Sequence, residues 1–579
     1  ANGAGKTHTT SGDITLQGIT AGSLTVNNQG PTAGSDISLG TTTLNNSLTL
    51  GIASGNITQS GALSIGGTTA ISAATNSVTL DNVANNFTGA VSVASGGNVT
   101  VKDANSLTLG AWSVSGDLLA QALSSDLILS GNISKTSGSD ATATFKATGN
   151  ITQNSSVGIS ATVSKFNTIF WADSDNSGQG YITLGDGSTF NTNGGHIVLA
   201  GGLDDGGSNA GLSGLTVGDG IPDGYAKTTD SASSAGVRIG PPSGGGSSVN
   251  LLSAAGDIVI RGQGLTNNGL GITSQGTFKI DAGAGNIMIL GKSEAGHGVE
   301  FGYGAAPNWA ITSASTSENA IYIKGVTAKD SYTGLWLGNT GSGNILIQAT
   351  GAGGGVTLHG EGTSGASATG LKFTNSGATT QILSQSGSIN LTGYSAAIAN
   401  DLVSSGTLYV GNRKDATAIN GITPGVTNSS AAINLTADSL TLSDGSTFAS
   451  SGTLTVKPYT AGTTIGIADG SGILSLLASY FSTNFVNGFS NITVGSATAG
   501  NLSVGNTVLT YNDPLTLKTA GNIVFSSGAS LTGTTGQNAS LVLWSDADAS
   551  GDGRTYLRGS VSTNDGHIWA GGGSGSATW

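Results

Sequence analysis

Along the first hundred residues, aliphatic side chains open short alternating runs at a nearly constant spacing. A small residue, then Asp or Asn, then an aliphatic residue appears as Gly12-Asp13-Ile14, Ser35-Asp36-Ile37, Gly55-Asn56-Ile57 and Gly97-Asn98-Val99, with Ser77-Val78 in the same rhythm. The aliphatic positions 14, 37, 57, 78 and 99 are 23, 20, 21 and 21 residues apart. Polar and apolar residues alternate after each, as in Ile14-Thr15-Leu16, which is the period of a strand with one buried face. A second strand type reads Leu24-Thr25-Val26, Leu48-Thr49-Leu50, Leu107-Thr108-Leu109 and Leu454-Thr455-Val456. About 21 residues hold three short strands and three bends, so the pattern predicts an all-β parallel β-helix whose inward aliphatic residues stack coil on coil. At that coil length the chain makes roughly 24 to 27 coils, a rod on the order of 120 Å long with strands ~4.8 Å apart.

The opening phrase returns at Leu118, Ile133, Ile151, Ile197, Ile258, Ile287, Ile345, Ile389, Ile523 and Ile568. No stretch keeps a helical period; a short helix or a buried turn is expected around Leu474–Phe485. Residues 1–169 read as regular coils. Around 203–245 and 290–340 the rhythm breaks, with Pro222, Pro241, Pro242 and Pro307, and these segments read as loop excursions on one continuous shaft covering 1–579. A longer repeat is superimposed. Phe170-Trp171-Ala172-Asp173-Ser174-Asp175-Asn176-Ser177-Gly178 returns as Leu543-Trp544-Ser545-Asp546-Ala547-Asp548-Ala549-Ser550-Gly551, the two Trp residues 373 positions apart. Residues 170–542 therefore read as one long repeat unit and 543–579 as the start of a second copy.

Composition narrows the picture. Gly supplies 97 of 579 residues without a Gly-X-Y period, which excludes collagen and suits many tight bends, attributed to the tolerance of Gly and Asn for left-handed backbone angles. The net charge of −13 with scattered basic residues disfavours a nucleic-acid partner. The absence of Cys excludes disulfides and thiolate metal sites, and no apolar run is long enough to insert in a membrane as a helix. With Ala at position 1, the chain reads as a mature or excised segment.

Three phrases, Gly55-Asn56-Ile57-Thr58-Gln59, Asn82-Val83-Ala84-Asn85-Asn86-Phe87-Thr88-Gly89-Ala90-Val91 and Asn193-Gly194-Gly195-His196-Ile197, resemble the filamentous haemagglutinin family of large bacterial exoproteins. The resemblance implies a right-handed parallel β-helix, two-partner secretion through an outer-membrane partner, and a role as a surface adhesin or biofilm component. The Asn-Pro-Asn motifs of that family's secretion domain do not occur, so the resemblance places this chain in the downstream shaft.

Candidate chemistry is sparse. Asp173, Asp175 and Ser177 before Gly178, and Asp546, Asp548, Ser550 and Asp552, resemble the first half of a calcium loop, with oxygen ligands at alternate positions. The alternative is a polar turn closed by Asx-type hydrogen bonds. Calcium is the one cofactor the sequence suggests. His196 and His567 occupy equivalent places in the long repeat, while His8, His297 and His359 are scattered, and no pair has ligand spacing. Trp171, Trp309, Trp336, Trp544 and Trp569 could stack on sugars, though packing is the commoner use of Trp. The sequence thus points to a non-enzymatic shaft of a secreted or cell-surface adhesin or fibre. Its expected partners are host-cell or environmental surfaces, glycans and further copies of itself. The alternatives are a carbohydrate-active β-helix, with Asp204, Asp205, Asp219 and Asp223 as its densest carboxylates, and an ice- or surface-binding solenoid with Thr faces.

Overall fold

The structure is a computed structural model and describes residues 12–29, 34–204, 220–229, 235–240, 248–266, 269–303, 308–338, 343–397, 400–573 and 575. It divides into two compact units, one formed by Ala1–Gly269 and Gln275–Met288, the other by Leu270–Ser274 and Ile289–Trp579. Each unit is a stack of parallel strands coiled as a β-helix.

In the first unit, one sheet runs in register through Ile14, Ile37, Ile57, Val78, Val99, Leu118, Ala143, Thr168, Ile197 and Ile258. Two residues on, a second inward file runs Val101, Ala120, Phe145, Phe170, Leu199 and Ile260, all fully buried. Phe145 and Phe170 meet edge to face with centroids 5.2 Å apart, so rings as well as branched chains fill the tube. A second sheet pairs Leu24, Leu48, Thr69 and Val91, and a third pairs Ile19, Thr42 and Leu63. The second unit repeats the scheme. Ile321, Val356, Ile389, Ile433, Leu454, Ile492, Leu515, Leu541 and Ile568 form one file.

The parallel β-helix expected from the alternation is the observed fold, but the coils are not uniform. Along the first file the steps are 23, 20, 21, 21 and 19 residues, then 25, 25, 29 and 61; in the second unit they range from 21 to 44. Longer strands, such as Thr369–Ser384 and Leu402–Gly411, and inserted loops account for the growth. The described files therefore hold fewer coils than the roughly 24 to 27 that a constant spacing implies. Nor does the recurring phrase mark one face. Ile133 opens a strand that pairs with Trp112, and Ile523 one that pairs with Leu502, each away from the sheet that Ile14 begins.

The phrase has a different physical basis from the one its composition suggests. Its Asn or Asp is not a left-handed bend residue. Its side-chain oxygen accepts the backbone N–H of the matching residue one coil on: Asp13 from Asp36, Asp36 from Asn56, Asn56 from Ser77, Asn98 from Asp117, at 2.7 to 3.1 Å. The ladder satisfies a donor at each strand entrance that no strand partner reaches. Its Gly is needed for closeness in later coils, where a Cβ on Gly256 would meet the Gly195 carbonyl oxygen at 2.2 Å and one on Gly285 that of Gly256 at 2.1 Å, while Gly55 also takes a left-handed φ of 98°. The region around Leu474–Phe485 is a strand, Leu474–Leu476, followed by one wide helical turn, Tyr480–Asn484, that buries Tyr480 and Phe481.

Candidate functional site

The two acidic turns fold alike. Strand Phe166–Ala172 delivers Trp171, and strand Leu541–Ser545 delivers Trp544, onto the outer face. Each chain then turns left-handed at an Asp, with φ 49° at Asp173 and 52° at Asp546. Asp173 Oδ1 accepts the Ser177 hydroxyl at 3.1 Å and the Gly178 amide at 2.9 Å; Asp546 Oδ1 accepts the Ser550 hydroxyl at 3.2 Å and the Gly551 amide at 2.8 Å. Asp175 and Asp548 each accept the amide two residues on. The Trp171 indole donates to the Gly202 carbonyl at 2.7 Å, and Trp544 to that of Gly573 at 2.8 Å. Lys146 lies 3.5 Å from the Trp171 ring centroid, Lys518 3.9 Å from that of Trp544, each a cation over an aromatic face.

These bonds take one carboxylate oxygen of each of Asp173, Asp175, Asp546 and Asp548. In the first copy Asp173 is fully buried and its Oδ2 faces the Lys227 ammonium at 3.3 Å, an ion pair without hydrogen-bond alignment. A lysine stands where a cation would bind, so this turn does not fit calcium. In the second copy Asp546 is half-buried and Asp548, Ser550 and Asp552 are exposed. Among the described residues no three His, Asp or Glu side chains converge as metal ligands. Both turns have the Asx-type geometry of the alternative reading. A polar groove of about 390 Å³ opens beside the first turn, lined by Asp126, Asn150, Asp175, Gln179, Tyr181 and Lys227 among others.

The histidines divide. His196 belongs to the inter-coil ladder: its Nδ1 accepts the Asp257 amide at 2.9 Å, and burial lowers its pKa despite the Asp257 carboxylate 3.8 Å away. His567 is exposed, and Ser540 Oγ accepts its amide. His297 is buried edge-on against Tyr332 and Trp336, accepts the Thr333 amide at 2.8 Å, and is pushed down to about 4 by burial. His8, Asp205 and Asp219 lie outside the described residues; Asp204 accepts the Gly220 amide at 2.8 Å, and the Asp223 carbonyl takes a hydrogen bond from Arg261, a base that the local sequence around Asp223 does not reveal. Trp309 is fully buried, whereas Trp336 and Trp569 are half-buried.

The densest chemistry lies where no sequence motif announces it. On the outer face of the second unit, register places Lys324 beside His359, with Thr392, Thr436 and Lys457 on the next three strands. The adjacent file carries Glu361 and Tyr394. Lys324 Nζ donates to Glu361 Oε1 at 2.8 Å, and His359 Nε2 stands 2.9 Å from the same oxygen. The His359 ring first, then Lys324, outweigh burial and hold the Glu361 carboxyl at about 2. Tyr459 stacks on Tyr394 with centroids 4.7 Å apart and an interplanar angle of 29°, lies 6.3 Å from the His359 ring, and is 40% exposed. The usable signal was His359-x-Glu361, two residues that share a strand face. Their partners come from coils 35 residues before and 33 after in register, which no local motif encodes.

The fold and its repeating ladders define a parallel β-solenoid repeat protein. A family model described as repeats of unknown function (DUF5649) matches residues 21–94, within the regular coils of the first unit. No curated protein and no solved structure matches the chain. Among the described residues no helix is long and apolar enough to cross a membrane.

Proposed function

We propose that this chain is a non-enzymatic shaft segment of a large bacterial exoprotein, secreted or held at the cell surface, that serves attachment, cell–cell contact or biofilm cohesion. The export route belongs to the same proposal: passage through a dedicated outer-membrane partner, with folding outside the cell. The observation that carries the reading is modular construction. Nearest-neighbour ladders continue coil after coil, and the same tryptophan-plus-turn module is built twice, 373 residues apart. Such a design adds length at constant stability per coil. The outward residues that the ladders align are mostly Ser, Thr and Asn, as in Thr357, Asn390, Asn434 and Thr455.

A second reading, a carbohydrate-active β-helix, draws on Lys324, His359 and Glu361. The pKa of Glu361 counts against it. A general acid or base works best with a pKa near the working pH, and Glu361 is held far below by the His359 ring and the Lys324 ammonium.

The experiment pairs electron microscopy of the purified chain with adhesion of chain-coated beads to bacterial and host cells. The shaft reading expects an elongated particle and bead retention above uncoated controls. Compact particles, beads that adhere no better than bare ones, or release of reducing or unsaturated ends from polysaccharides overturn it.

A further inference from the structure

We propose that the Tyr394–Tyr459 platform on the outer face of the second unit binds a neutral polysaccharide. The inference rests on the adhesive reading, since it supplies that reading with a ligand class and a place. Only 9% of the chain is charged and 5% aromatic. Yet Lys324, His359, Glu361, Tyr394 and Tyr459 gather on one face from four coils. Most outward positions on this chain are small and polar, so an exposed stacked tyrosine is out of keeping with them. Tyr394 holds the Tyr459 ring from below, which reduces the entropy lost when a ligand stacks on it. An aromatic face of this kind suits the C–H-rich face of a pyranose, and the phenol supplies a hydrogen bond at its edge.

The surroundings select the charge of the ligand. Lys324 and Glu361 neutralise each other at 2.8 Å. Of the files alongside, one carries Thr392 and Thr436 and ends at Lys457, and the other carries the neutral groups Thr357, Asn390, Asn434 and Thr455. Asn434 Nδ2 donates to Asn390 Oδ1 at 2.8 Å and Asn390 Nδ2 to Thr357 Oγ1 at 3.3 Å, so this row is already ordered. Strands ~4.8 Å apart repeat these groups at a spacing that an extended polymer crossing the strands can follow. A uronate or sulfate finds no free cation at this pair, because Glu361 already occupies the Lys324 ammonium.

Native affinity electrophoresis of the full chain in gels cast with dextran, mannan, xylan or polygalacturonate tests the proposal. The expected result is retardation by at least one of the three neutral polymers and none by polygalacturonate. Tyr459→Ala, which removes an exposed ring, weakens that retardation about tenfold in apparent Kd, while Tyr459→Phe stays within about threefold. No retardation by any neutral polymer, retardation by polygalacturonate in their place, or retardation unchanged in Tyr459→Ala overturns it. An elongated, cell-adherent particle that ignores every neutral polymer removes this proposal and leaves the shaft standing; a compact particle that binds sugar through Tyr459 does the reverse.

Discussion

The turn at Asp173 and the turn at Asp546 are the same local object in two settings. Backbone angles, the Asp–Ser–Gly hydrogen bonds, the indole donor and the lysine over the ring agree between them to within a few tenths of an ångström. Even the glycine that closes each turn is equivalent: a Cβ on Gly180 or on Gly553 would stand 2.3 Å from the amide nitrogen of the Asp. The settings differ. Ile221 and Lys227, from the excursion after residue 203, pack over the first copy, leaving Trp171 only 7% exposed in a cluster with Ile169, Val198 and Ala200. In the second copy Trp544 meets Trp569 edge to face at 5.9 Å and the acidic turn is largely open. Among the described residues no lysine faces Asp546 as Lys227 faces Asp173. A short sequence can thus specify its own hydrogen bonds completely and leave its burial, and hence its energetic weight, to whatever the chain lays on top.

The tryptophans separate the two settings most. Trp171→Ala removes a buried ring from a closed cluster and is expected to cost about 3–5 kcal/mol. Trp544→Ala is expected to cost about 1–2 kcal/mol, because its ring is only partly covered and part of it already meets water. Hydrogen exchange of the amides in each strand reads the two costs separately, and equal losses would mean that the cover contributes nothing. Next come the carboxylates. Asp173→Ala strips two hydrogen bonds and leaves Lys227 without its partner, at about 2–4 kcal/mol. Asp546→Ala loses the same two bonds in a wetter place, at about 1 kcal/mol. Replacing the hydroxyls, Ser177→Ala and Ser550→Ala, should cost about 0.5–1 kcal/mol each and so nearly abolish the contrast. Smallest is calcium. Millimolar Ca²⁺ is expected to leave the melting temperature of the chain unchanged, and a rise that disappears in Asp546→Asn but persists in Asp173→Asn would establish a cation site in the open copy alone.

Acid should act through a third region. His297 is held at about 4, below its ordinary value of 6.5, by burial. The unfolded chain therefore binds a proton that the folded one refuses, and the stability this group contributes, complete above pH 6.5, drains away as pH falls toward 4. His297→Gln should flatten the pH dependence of stability across that window. A slope unchanged by the substitution would assign it to other groups.

Much of this fold could be read from the chain because its rules are local. Alternation puts Ile14, Ile37 and Ile57 inward whatever surrounds them, and each Asn or Asp of the phrase finds its acceptor role one coil away by stacking alone. The likeness of the two acidic turns follows in part for the same reason, since the Asp–Ser–Gly hydrogen bonds that close them join residues no more than five apart, while the indole donors reach carbonyls 31 and 29 residues on. Coil length was not legible: strands grow and loops enter without disturbing the inward files, so the spacing drifts while the register holds. Nor were the cover over Asp173 or the meeting of Lys324, His359, Glu361, Tyr394 and Tyr459. Those depend on which coils lie side by side and where an excursion returns. Such distances are set by stacking across dozens of residues, where no run of neighbours in the chain carries the information.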